Sequence, residues 1–391
     1  MQLEQAQSPG SVPPSVSQEN AHAVEGRLHT VESRTERLVQ ASFLWPALLV
    51  VLVLSIFPLL ISLYLSLSHL ELVTGGFDIR FIGFDNYKDL LFGSEKTHFL
   101  GVLKPPSLLG WAVLVIGGGL LLWWLISVVR SRKVSVLRLV LRAIVAMLAM
   151  VLVWYVVETF APEGRPGTLM VTLVYVAAGI TFQYLLGLAL AYLATQRLAG
   201  RRFFRVVFLL PMMITPVGVA YMFRMLTDTQ KGPFQPIFKL IGAPNFTWVT
   251  DPWGARIAVI ISDIWQWTPF MFIVLLASLE AQDVETVEAA HVDGASRWQI
   301  FRHVTLPGII PVSTTLILIR LIEGFKIIDL PNILTNGGPG TATESLTLEA
   351  YIDWRVLELG RSAATAYILL FIVTIVGTAY VNFVRRRALA A

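Results

Sequence analysis

Eight apolar runs, each near the roughly 20 residues that cross about 30 Å of hydrocarbon, constrain this chain more than any other feature. They lie at about Phe43 to Leu67, Leu108 to Val129, Leu139 to Val157, Thr168 to Leu193, Val206 to Leu226, Ile257 to Leu279, Gly308 to Phe325, and Ala363 to Val384. The pattern predicts an all-α polytopic membrane protein with about eight transmembrane helices. Composition agrees: 14% of residues are charged and 55% hydrophobic, against about 25% charged in soluble domains. The absence of cysteine excludes disulfides, zinc thiolates and thiol catalysis.

The formal charge of +4 does not point to nucleic acid, because the basic residues cluster in short loops beside the apolar runs. Arg130, Arg132, Lys133 and Arg138 follow the second run, Arg197, Arg201, Arg202 and Arg205 the fourth, and Arg385 to Arg387 the eighth. These clusters share one side only if the crossings are even in number and both termini are cytoplasmic. The opposite face carries the longer loops, Glu71 to Pro106, Glu158 to Gly167, Thr227 to Arg256 and Leu330 to Arg361, which are expected to contact something outside the membrane. Residues 1–40 read as a polar cytoplasmic tail, partly disordered, with an amphipathic helix through Val24, Leu28, Val31 and Leu38. Such a start makes a secretory signal peptide an unsuitable reading.

A charged segment between the sixth and seventh runs carries the functional signal. It reads Glu288-Ala289-Ala290, then Gly294, then Val304-x-Leu306-Pro307. Small side chains let a helix settle into a groove, a carboxylate can meet an arginine on a partner, and glycine permits a turn that a side chain forbids. Pro307 is expected to end the second helical piece and set the angle of the seventh span. This pattern resembles the cytoplasmic coupling loop of ATP-binding-cassette importer permeases. Together with Phe81-Ile-Gly-Phe-Asp-Asn-Tyr87, Phe203 to Pro211 and Leu334-Thr-Asn-Gly-Gly-Pro339, it makes the chain from Pro46 onward similar to the carbohydrate-uptake group typified by the larger maltose-importer membrane subunit. Glycerol-phosphate and other sugar permeases share the likeness.

The resemblance implies a type I ABC importer transmembrane domain and a permease subunit in the bacterial inner membrane. Its expected partners are a second homologous permease, two ATPase subunits that bind ATP and magnesium, and an external or periplasmic solute-binding protein. No cofactor is expected in this chain. Family roles carry Glu288, Ala289, Ala290, Asp293, Gly294 and Pro307 over to ATPase coupling, and Gln266, Trp267, Phe270, Arg320, Glu323, Gly324, Ile327 and Asp329 to the sugar path. An aromatic plate beside hydrogen-bonding groups suits a sugar, whose ring faces are apolar and whose edges are hydroxyls. Asp263, Arg320, Glu323 and Lys326 in or beside spans must face a polar cavity or one another, since a charge at the bilayer centre costs at least about 2.5–3.5 kcal/mol. Arg320 and Glu323, three apart on a helix, can either neutralise each other or meet the ligand.

Family members most often have six spans. Here residues 104–166 read as an inserted transmembrane hairpin, with 41–103 forming the first span and external loop, and 167–391 the core domain holding the coupling loop at 280–307. Gly117-Gly118-Gly119 suggests close packing of the hairpin, and Trp123-Trp124 an interfacial anchor. Within the class, a permease for glycerol phosphate or another non-sugar solute fits the same loop. A glycosyltransferase-like membrane enzyme would need an acidic pair such as Asp-x-Asp, which the chain lacks. A secondary transporter is disfavoured because the halves show no hydropathy repeat.

Overall fold

The computed structural model describes residues 42–130, 136–196, 200–228, 231–240 and 250–388. The tail and amphipathic helix expected within 1–40 lie outside them. The chain divides into two compact units, residues 1–64 and 65–391. What is described of the first unit belongs to one apolar helix, α1 (Ser42–Ser66), which carries a π turn at Leu52–Ile56.

The second unit opens with a two-stranded antiparallel hairpin, β1 (Ser68–Val73) and β2 (Gly76–Phe81), in register from Ser68↔Phe81 to Val73↔Gly76. Two short helices follow, α2 (Asp85–Leu91) and α3 (Lys96–Phe99), then a short strand, β3 (Gly101–Val102). The helices α4 (Leu108–Arg130) and α5 (Val136–Thr159) pack as a hairpin, with Trp111 and Trp154 edge to face at 6.0 Å. The glycine triplet is not where they approach most closely. A Cβ on Gly117 or Gly118 would sit 3.7 Å from its nearest neighbour, and Gly119 faces open space. At Gly110 a Cβ would come within 2.7 Å of Val157. The base of the hairpin is tied to the preceding loop: the Tyr155 hydroxyl donates to the Leu100 carbonyl at 2.6 Å, and β3 pairs with β4 (Arg165–Pro166).

The longest helices of the core are α6 (Thr168–Thr195) and α10 (Pro252–Glu280). They lie unusually close, because a Cβ on Gly187 would meet Met271 Cβ at 2.5 Å. Small residues allow such approach between helices that gain nothing from hiding in lipid. Between them in sequence, the expected fifth span is broken. The helices α7 (Arg201–Met213) and α8 (Pro216–Thr227) meet at 96°. Pro216 lacks an amide hydrogen and pushes Thr215 out of the helical region, to ψ 147°. Thr215 then caps α8 by accepting from the Gly218 amide. Arg205 fastens α7 to the ends of its neighbours through Glu280 and the Ala194 carbonyl.

After α9 (Gln235–Leu240) and α10 come α11 (Val284–Val292), the span α12 (Arg297–Gly324), α13 (Asp329–Thr335), α14 (Leu346–Arg355) and α15 (Leu359–Ala388). Among the described residues, seven helices are long and apolar enough to cross a membrane, or eight if the bent pair counts as one span. The fold is an all-α membrane architecture. One core cluster joins α6, α10 and α12 through Ala191, Phe272, Leu275, Ile309 and Leu316. A second joins α6, α8, α10 and α13 through Val171, Tyr175, Val219, Val259 and Leu334.

Candidate functional site

Two places gather the functional residues expected from sequence. The first is a cleft of about 150 Å³ lined from α8, α10, α12 and the turn leading into α13. Gln266, Trp267, Arg320, Glu323, Ile327 and Asp329 line it together with Pro216, Asp263, Lys326, Ile328 and Leu330. Phe270 and Gly324 are placed elsewhere. Phe270 packs against Trp267 with ring centroids 6.2 Å apart, and a Cβ on the buried Gly324 would contact Val176 at 3.5 Å.

Arg320 does not pair with Glu323. Its Nη2 donates to both Asp263 carboxylate oxygens at 2.6 Å, and its Nε donates to Gln183 Oε1 at 2.8 Å. Glu323 instead accepts from Lys326 Nζ at 2.7 Å. The helical spacing rule failed because α6 and α10 bring better partners to Arg320 than its own helix does. Its guanidinium also lies over the Trp267 ring, 4.7 Å from the centroid. Gln183 was missed from sequence, although a lone glutamine in an apolar run also asks for a hydrogen-bonding partner inside the bundle. Pro216 enters the cleft only because the fifth run breaks.

The second place is the loop between α10 and α12. Asp283 caps α11, accepting from the Glu285 amide at 3.0 Å, and the helix exposes Glu288 and Ala289 with no buried residue. Gly294 has φ +77°, and a Cβ added there would meet nothing within 4 Å, so the backbone alone demands glycine. Ser296 then starts the next helix with a capping box closed by Gln299. Pro307 does not end a helical piece. The helix runs on from Arg297, a π turn at Phe301–Thr305 absorbs the disturbance, and Pro307 sits in the first α turn beyond it. The loop's two ends are pinned, because Gln282 Nε2 donates to the Thr305 carbonyl at 2.7 Å. Between them lies an open hollow of about 330 Å³ bordered by Ala290, Asp293, Gly294 and His303.

Residues 183–389, which hold both the cleft and the loop, match the family described as "Binding-protein-dependent transport system inner membrane component". This chain belongs to that family. A relative from Thermococcus litoralis, the trehalose/maltose transport system permease protein MalF, is 32% identical over 205 residues, covering 52% of this chain and 69% of that protein. A probable ABC transporter permease protein from Sinorhizobium fredii, y4oQ, is 35% identical over 199 residues, covering 51% of this chain and 64% of its own length. The match thus spans slightly under two thirds of that relative. Among solved structures, a bacterial ABC transporter involved in import of the acidic polysaccharide alginate aligns with TM-score 0.52 and 21% identity, over 62% of this chain and 95% of that one. That likeness shows a shared fold.

Proposed function

We propose that this chain is one membrane subunit of an ATP-driven, binding-protein-dependent importer, and that its cargo is a sugar without net charge. The observation that carries the cargo class is the charge balance of the cleft. Three carboxylates, Asp263, Glu323 and Asp329, stand against two cations, Arg320 and Lys326, and both cations are already paired. An anionic solute such as glycerol phosphate would meet a surplus negative charge, with no free cation among the described residues of the cleft to receive it. A sugar needs an apolar plate and hydrogen-bonding edges, which Trp267 and Gln266 offer. The relatives named for trehalose, maltose and starch degradation products support the same class.

In this reading, loop 280–307 faces the cytoplasm, as do both termini, and docks on a separate ATPase that binds ATP and magnesium. Glu288, Ala289, Ala290, Asp293 and Gly294 form the docking face, and Pro307 lies where the loop joins the span. A second permease completes the path and an external binding protein delivers the sugar. Residues 1–40 form a cytoplasmic tail, 41–103 the first span and its loop, 104–166 an inserted hairpin, and 167–391 the core. Alternating access follows from ATP binding pulling the loops together. Reconstitution with the ATPase, second permease and binding protein should give ATP-dependent uptake of trehalose or maltose but not of glycerol 3-phosphate. Uptake of the phosphate alone would reverse the assignment.

A further inference from the structure

The indole in the cleft is held by a neighbour that lines the cleft with it. Arg320 covers the Trp267 ring at 4.7 Å, and Arg320 has little freedom of its own. Gln183 accepts from its Nε at 2.8 Å, and both Asp263 oxygens accept from its Nη2 at 2.6 Å. Gln183 Nε2 closes the ring by donating to Asp263 Oδ2 at 2.8 Å and to the Asp263 carbonyl at 3.0 Å. The three side chains come from α6, α10 and α12, and their exposures are 0%, 5% and 3%. Gly179 makes room for the arrangement, since a Cβ there would lie 2.8 Å from Asp263 Oδ2.

A guanidinium presents its donors in one rigid plane, so fixing Nε and Nη2 fixes the plane of the whole group. Pairing within the bundle also leaves its charge compensated away from water. The cation then acts on Trp267 through the face of the ring, an attraction that strengthens when both groups are desolvated. Gln183 does not line the cleft, yet it shapes the cleft by this route.

We propose that Gln183 and Asp263 are positioning residues, which orient Arg320 so that it holds the Trp267 ring as a fixed wall of the cleft. The consequence for sugar selection rests on the function proposed above; the geometric claim does not. A wall ordered before the ligand arrives spares the ligand the entropy of ordering it. Loosening the wall therefore weakens binding and leaves the later conformational cycle intact.

The test uses the full chain in its assembled transporter, labelled with 5-fluorotryptophan. The chain has 11 tryptophans, and Trp267→Phe identifies the resonance of interest. Asp263→Asn and Gln183→Met are expected to move that resonance and leave the others in place, and Asp263→Glu to return it toward its original position. An unmoved Trp267 resonance in both variants overturns the proposal. Gln183→Met removes no charge, so it supplies the answer even if Asp263→Asn fails to assemble. In uptake of trehalose and maltose, both variants should raise KM by about three- to tenfold with Vmax held within about twofold. If Trp267→Ala raises KM but neither variant does, the positioning role in selection is overturned. If Trp267→Ala itself leaves KM unchanged, the sugar-site reading falls, while the resonance result still decides the geometry.

Discussion

In the cleft, the buried Arg320 pairs with the buried Asp263 at 2.6 Å, whereas in loop 280–307 Glu285, Glu288, Asp293, Arg297 and Arg302 stand exposed and make no ion pair among the described residues. Val284, Val292 and Trp298 are exposed beside them. A charge taken out of water must be compensated on the spot, while a charge at the surface is solvated and remains available. The contrast separates two kinds of surface. The cleft's two cations are already paired; the loop leaves charges and apolar side chains open to solvent.

The strongest way to break this contrast is to remove one carboxylate from each region. Asp263→Ala strands a buried guanidinium and should cost about 3–5 kcal/mol, whereas Glu288→Ala should change stability by no more than about 0.5 kcal/mol. Thermal denaturation of the purified chain in detergent measures both, and equal losses would erase the distinction.

A third region sharpens it. Around the start of the last span, His98 meets Glu344 at 2.6 Å, with Glu349, Asp353, Glu95 and Arg361 close by. This cluster is buried like the cleft but short of cations. Burial pushes the Glu349 carboxyl up to about 7, against the opposing hydrogen bond from Thr168 and the charge of His98; Asp353 and Glu344 push it further up. The hydrogen bond to Glu344 raises His98 above its ordinary 6.5. Both groups have folded values above their unfolded ones, so each contributes stability that is complete below the unfolded value. For Glu349 that contribution is lost as pH climbs from about 4.5 through about 7, and for His98 as pH climbs through its raised value. Hydrogen exchange over residues 342–353 should therefore accelerate from about pH 5 to pH 8 beyond its chemical rate, and Glu349→Gln should remove on the order of 3 kcal/mol of that dependence. A slope unchanged by Glu349→Gln would contradict it.

A modest effect belongs to the loop's turn. Gly294→Ala meets no neighbouring atom, so it should cost only the left-handed backbone penalty, about 1–2 kcal/mol, read as a modest drop in melting temperature. A larger loss would mean that the exposed loop is packed against the rest of the chain after all.

Span positions were legible in sequence because length and apolarity are local properties. Gly294 was legible for the same reason, since a positive φ asks for glycine wherever it occurs. The break before Pro216 was half visible: the proline was there, but the unbroken apolar run concealed it. The π turn before Pro307 left no signal, because it depends on how that turn packs against its neighbours. Partners for Arg320 were hidden in a different sense. Spacing along one helix pointed to Glu323, whereas burial brought Gln183 and Asp263 from two other helices, 137 and 57 residues away. Phe270 and Gly324 lie beside the cleft rather than in its lining, Phe270 against Trp267 and Gly324 against Val176.

The account depends most on loop 280–307 being the element through which a separate ATPase drives this subunit. The direct measurement is sugar-stimulated ATP hydrolysis by the assembled transporter carrying Glu288→Lys, with the ATPase quantified in the same preparation. We predict that the ATPase remains bound and stimulation by sugar is lost. Stimulated hydrolysis at the wild-type rate would contradict the claim.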